Sequence, residues 1–231
     1  MCNQGFLCMA PMTLYFLRPS PPCRAVLLLT KYLGLEIKIE DIDLFVKKQH
    51  LEPDFLKMNP SHTVPVLDDN GFYLWESRAI LAYLANQYSK DENLYPKDSK
   101  KRANVDKMLY FDGTTLYANL FRYFANYLFL GKEPTPNEHA KVKDNLTTFD
   151  NILKSSPYAA GDHLTIADFS LLLTITTLDG VEFDYSEYKH ISAWASKLKK
   201  DLPHYKEAVE PGLEDFKNFV ASKKAELQGK K

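Results

Sequence analysis

The chain has 231 residues, 45% of them hydrophobic and 26% charged, with a net charge of −1. Those proportions fit a soluble globular protein long enough for two modest domains. They give no electrostatic case for nucleic acid or an anionic membrane surface, so neither is expected as a partner.

Cys2, Cys8 and Cys23 are few and irregularly spaced. They form no disulfide framework and no metal signature, so no metal is expected and a reducing, cytoplasmic compartment fits. The opening stretch MCNQGFLCMAP lacks the basic start and long apolar core of a signal peptide. It reads as a flexible extension over residues 1–11. No run approaches the roughly 18 apolar residues of a membrane span.

From residue 12 onward, strand and helix signals alternate. TLYF (13–16) is a short β-prone run. Residues 22–33 have helical spacing and stop at Gly34. Residues 37–44 alternate apolar and polar side chains with the period of a half-buried strand. A short helix is predicted over 53–58. Runs at 65–67 and 72–74 flank Asn70-Gly71 and predict a hairpin. Ser77 then opens a helix over 78–88. A crossover followed by a hairpin within residues 12–90 predicts a small mixed sheet with helices on its faces.

Residues 89–99 are polar and carry Pro96, the composition of an inter-domain linker, with its centre at 91–98. The remainder, 99–231, reads as helical. One very long helix is predicted over 100–130, ended by Gly131 and Pro134. Further helices are predicted over 137–153, 166–177, 187–200 and 213–224.

Three stretches carry more than secondary structure. In LTIADF (164–169), Thr165 can cap a helix with Asp168 as its partner, a structural role. In MNPSHTVPVL, Pro65 enters a strand although it has no ladder donor. A cis bond after Val64 accounts for that and leaves the Val64 amide and carbonyl free to pair with an added strand. In LWESRAI, the helix start at Ser77 would attract a carboxylate, and Glu76 offers a charge for an ammonium. His62 is placed to reach a second carboxylate. Together these describe a small zwitterionic peptide. Taken singly, Ser77 is a helix cap and His62 a surface histidine. Tyr117, Leu120, Phe121, Phe124 and Leu128 fall at helical spacing on one unusually aromatic face, which core packing explains in part.

SPPCRAV, NPSHTVPVL, LWESRAILAYLA, LYPKDSKKRA and LTIADF, in that order over residues 12–220, resemble the cytosolic glutathione transferases of the insect delta/epsilon group. Residues 116–134 lean towards epsilon. The resemblance implies a thioredoxin-like N-terminal domain with a mixed four-stranded sheet over 12–90. It also implies an all-helical C-terminal domain and a homodimer. It assigns Ser20 to the glutathione sulfur and Val64, beside cis-Pro65, to the cysteinyl backbone. Glu76 and Ser77, with Arg78 close by, take the γ-glutamyl end, and His62 and His50 the glycine end. It puts the hydrophobic substrate site at Tyr117, Leu120, Phe121 and Phe124, with Leu17 and Pro22 from the other domain. Arg122 lies one position off that stripe and is given no role.

The function implied is conjugation of the glutathione thiolate to apolar electrophiles in xenobiotic detoxification, with peroxidase or dehydrochlorinase side activity. The alternative is a non-catalytic carrier of apolar ligands, such as steroids, in the same pocket. Ser20 stands where a thioredoxin-type fold has its first active cysteine. A serine forms no mixed disulfide, which argues against a thiol-disulfide oxidoreductase.

Overall fold

The computed structural model describes residues 12–229. The extension expected over 1–11, with Cys2 and Cys8, lies outside the described residues.

The N-terminal part is built on a four-stranded sheet of order β2-β1-β3-β4. β1 (Met12–Phe16) runs parallel to β2 (Ile37–Asp41) and antiparallel to β3 (Val66–Asp69). β3 pairs antiparallel with β4 (Phe72–Trp75). The β3–β4 turn takes positive φ at both central residues, Asn70 at 54° and Gly71 at 89°, the geometry that Asn-Gly favours in a two-residue hairpin. Leu14 and Leu67, paired across β1 and β3, are fully buried.

The crossover from β1 to β2 is α1 (Pro21–Tyr32), capped by Ser20 and followed by Gly34 at φ 67°. Prolines fit its first two positions because those amides have no helical acceptor. One face of α1 buries Cys23, Val26, Leu28 and Leu29. α2 (Pro53–Met58) is short, and α3 (Ser77–Tyr88) closes the N-terminal part. The sequence expectation had strand β2 running to residue 44, but pairing ends at Asp41. Beyond it, Asp43 turns the chain by accepting hydrogen bonds from the Phe45 and Val46 amides at 2.9 and 2.8 Å.

The segment between α3 and residue 99 is not a solvated linker throughout. Leu94 is fully buried, and its carbonyl accepts from the Ile166 amide at 3.0 Å. The helical part follows. The single helix predicted over 100–130 is interrupted. α4 (Ser99–Tyr110) passes through a π turn (Phe111–Leu116) into α5 (Tyr117–Leu130). Wide turns of this kind often mark functional positions. This one buries Asp112 and brings Gly113 against Arg78, whose Cδ lies 3.0 Å from where a Cβ would stand.

α6 (Pro136–Lys154), α7 (Ile166–Val181), α8 (Lys189–Asp201) and α9 (Tyr205–Gln228) complete the chain. α7 is buried along nearly its whole length and packs on α1, α4 and α9. Its first turn is fixed by the Asp168 carboxylate. That group accepts from the amides of Thr165 (2.9 Å) and Ala159 (2.8 Å) and from the Trp194 indole (3.0 Å). α9 begins eight residues before the predicted start at 213, running through Pro211 and Gly212. Tertiary packing overrides the local breakers there. Val209 and Gly212 are buried, and the Arg24 guanidinium donates to the Val209 carbonyl at 3.4 Å.

Candidate functional site

A cleft of about 430 Å³ lies between the two parts. Its lining includes Ser20, His50, His62, Thr63 and Val64 from the N-terminal part, and Tyr117, Phe121 and Phe124 from α5.

Ser20 reaches the cleft because it precedes the first turn of α1. Its hydroxyl accepts from the Cys23 amide at 3.5 Å. That exceeds the usual range of about 2.7–3.2 Å, so the cap bond is weak and the oxygen stays open to a second partner. Cys23 itself is buried, and burial pushes its thiol up to about 11. It is a packing residue.

The turn before β3 is organised by Asn59, whose amide donates to the Thr63 carbonyl at 2.9 Å and whose oxygen accepts from the Ser61 amide at 2.9 Å. This holds His62 exposed at φ 48°. The His50 and His62 rings lie 6.2 Å apart. Burial, then His62 and Lys48, lower the pKa of His50. His50 Nδ1 is buried and has no hydrogen-bond partner among the described residues. The Val64–Pro65 peptide is cis. No backbone hydrogen bond to Val64 forms among the described residues.

Glu76, not Ser77, stands at the N-cap of α3, at φ 70° and with no side-chain cap bond. Ser77 is the first helical residue and is 5% exposed. The expected cap is thus displaced by one residue, because Glu76 takes the turn that ends β4. Glu76 and Arg78 line a neighbouring cleft of about 490 Å³ with Tyr95, Asp106 and Tyr110. Arg78 is tied to Asp112 by two hydrogen bonds and lies 5.4 Å from the Tyr117 ring centre. This contact joins the two clefts through Tyr117.

Two of the residues expected in the hydrophobic pocket are elsewhere. Leu120, at the edge of the same helical stripe, is fully buried in the core and does not line the cleft. Pro22 does not line the cleft; Pro21 does, because the helix starts one residue earlier than predicted. Leu17, Tyr117, Phe121 and Phe124 do line it. Arg122 is exposed and contacts Asn119. Sequence reasoning missed Leu44, Phe45, Phe129, Phe216 and Phe219, all of which line the cleft. The signal for Phe216 and Phe219 was their i, i+3 spacing on the last helix.

Residues 10–86 match the family model of the glutathione S-transferase N-terminal domain, and residues 117–200 match that of the C-terminal domain. The chain belongs to the glutathione S-transferase family. Glutathione S-transferase D7 of Anopheles gambiae is 43% identical over 212 residues, 91% of this chain and 97% of that protein. A delta-class glutathione transferase of Nilaparvata lugens superposes with a TM-score of 0.89 at 45% identity, over 92% of this chain and all of that one. An epsilon-class glutathione S-transferase of Musca domestica superposes at 0.86 and 40% identity, over 92% and 98%. The similarity spans both insect classes. The chain is a glutathione transferase with a thioredoxin-like N-terminal part and a helical C-terminal part, taking glutathione as co-substrate. Among the described residues no group of His, Cys, Asp and Glu could hold a metal ion, and no helix is long and apolar enough to cross a membrane.

Proposed function

We propose that Ser20 is the catalytic residue of this transferase, donating its hydroxyl hydrogen to the glutathione sulfur and holding it as thiolate. The observation that carries this reading is the pair of prolines behind it. Pro21 and Pro22 occupy the first two helical positions and have no N–H. The backbone donors that normally cradle an anion at a helix start are reduced accordingly. The helix dipole remains, and the Ser20 hydroxyl is a mobile donor at this end whose existing contact is long.

Val64, free of backbone pairing beside cis-Pro65, takes the cysteinyl segment as an added strand. His50, with its unpartnered Nδ1, and His62 take the glycine carboxylate. Glu76 and Ser77 take the γ-glutamyl end, with Arg78 held close by Asp112. The acceptor site is formed by Leu17, Pro21, Tyr117, Phe121, Phe124 and their neighbours, apart from the core residue Leu120.

Magnitude limits what Ser20 does alone. A thiol of pKa about 8.5 is roughly 3% ionised at pH 7; a drop of about two units takes ~2.7 kcal/mol and raises that fraction about 25-fold. Intrinsic nucleophilicity falls about 8-fold in return, at a Brønsted slope near 0.45. The net gain is about threefold. The larger acceleration comes from orienting the electrophile in the apolar cleft beside the sulfur. There the sulfur–carbon bond forms as the leaving group departs, and the thiol proton goes to solvent.

Apolar walls favour neutral electrophiles, in keeping with xenobiotic detoxification and with peroxidase or dehydrochlorinase turnover as side activities. No feature of the cleft favours a non-catalytic carrier. The reading extends to a cytoplasmic homodimer with domains over 12–90 and 99–231. Exposed Tyr110, beside the Glu76–Arg78 cleft, suits a subunit contact, and sedimentation tests it. The direct test of the catalytic assignment is Ser20→Ala. It loses conjugation of an aryl halide while keeping glutathione affinity; unchanged turnover would remove Ser20 from the role.

A further inference from the structure

Phe45 is 55% exposed, yet its ring stacks on two rings of the helical part. Its centroid lies 6.4 Å from that of Phe129 on α5 and 6.0 Å from that of Phe219 on α9, with planes inclined by 22° and 21°. Phe129 and Phe219 are 5.8 Å apart. All three rings line the cleft.

The loop that carries Phe45 is a closed lobe. The Gln49 amide donates to the Asp43 carbonyl at 3.0 Å, and the Asp43 amide donates to Gln49 Oε1 at 2.8 Å. The Asp43 carboxylate then holds the Phe45 and Val46 amides. The lobe is thus tied at its base and braced from within. Little apolar surface anchors its tip: Val46 is 85% exposed, and Lys47 and Lys48 are exposed beside it. At the tip, Phe45 stacks on the helical part. His50 follows the lobe directly and lines the same cleft.

We propose that Phe45 is a latch and a specificity-determining residue: the lobe over residues 43–49 closes on the acceptor site through the Phe45–Phe129–Phe219 stack and selects flat aromatic electrophiles over small aliphatic ones. A flat ring in the cleft extends the stack in offset or edge-to-face contact, whereas a small aliphatic group gains only area. An aromatic pair is worth about 2- to 12-fold in an equilibrium, enough to set a preference without locking the lobe shut. The proposal rests on the transferase reading above, since the electrophile is the ligand enclosed. It adds that the lobe leading into His50 also forms the acceptor site's outer wall, so ordering of the lobe at one substrate favours the other.

The test compares 1-chloro-2,4-dinitrobenzene with allyl isothiocyanate, both conjugated to glutathione, in the full-length enzyme. Phe45→Ala lies on an exposed loop tip and is read alongside its melting temperature. The kcat/KM ratio of aryl to aliphatic electrophile is expected to fall about 5-fold, through the KM of the aryl halide, and Phe45→Tyr restores it. Adding Phe129→Ala to Phe45→Ala costs much less than Phe129→Ala alone, because the pair acts as a unit. An unchanged ratio, or additive losses, overturns the latch. Wild-type turnover of the aryl halide and its loss in Ser20→Ala report on the transferase reading separately.

Discussion

Arg78 Nη2 lies 2.6 Å from Asp112 Oδ2, and Arg78 Nε lies 3.1 Å from the same oxygen, so α3 is bound side-on to the π turn that divides α4 from α5. Ser170 Oγ on α7 donates to that oxygen at 2.5 Å. Asp112 is fully buried, while Arg78 keeps 19% of its side chain exposed. Removing one partner of a buried pair leaves a charge uncompensated, at a cost of about 3 kcal/mol or more. Asp112→Ala is therefore expected to lower the melting temperature by roughly 6–12 °C, at 2–4 °C per kcal/mol for a chain of this size. It also raises the KM for glutathione, because Arg78 abuts Ser77. Calorimetry and steady-state kinetics check both; an unchanged melting temperature contradicts the account.

Gly212 is set by close approach. A Cβ there would stand 2.2 Å from the Arg18 carbonyl oxygen and 2.7 Å from Arg24 Cδ. The first neighbour is backbone and cannot swing away. Gly212→Ala is expected to destabilise by about 3 kcal/mol through overpacking, read as a shift in the urea midpoint. Gly71→Ala meets no atom within 4 Å and strains only its φ of 89°, so its effect is smaller.

His50 gives a pH signature. Burial lowers its pKa, so in the free protein its neutral form is favoured near pH 7. A carboxylate bound beside it raises that pKa, so binding takes up a proton and affinity falls as pH rises. S-methylglutathione, which has no thiol to titrate, is expected to bind more tightly at pH 5.5 than at 7.5. His50→Gln loses most of that slope. A slope equal to wild type by titration calorimetry would show that His50 does not face the carboxylate.

Cys23 follows the opposite logic to a catalytic thiol. Its pKa of about 11 keeps it protonated, and it is fully buried. Its raised value means that any stability it contributes is present below its unfolded pKa and is lost as pH rises towards 11. In the native protein at pH 8, mass spectrometry is expected to find Cys23 unmodified by iodoacetamide. Its rapid alkylation would contradict the packing assignment.

Much of this arrangement was legible from residue order. Asn-Gly marked the β3–β4 turn, Pro65 in a strand marked the cis bond, and helical spacing up to Gly34 marked α1 to within a residue at its start. Tertiary effects were not legible. Pro211-Gly212 reads locally as a stop, yet α9 continues because its backbone docks on Arg18 and Arg24. Helical spacing placed Leu120 with Phe121 and Phe124 but could not say which edge of that stripe the core would take. Asp112 sits inside a helical pattern, and its partner lies 34 residues away in sequence. Phe45 belongs to an irregular loop whose direction depends on the hydrogen bonds between Asp43 and Gln49.

The central claim is that the Ser20 hydroxyl holds the sulfur of bound glutathione as thiolate. The most direct measurement is the ultraviolet thiolate absorbance of the enzyme–glutathione complex against pH, in wild type and in Ser20→Ala. The account predicts a wild-type pKa about two units below that of free glutathione, moving back towards the free value in Ser20→Ala. The same depressed pKa in both proteins would contradict it.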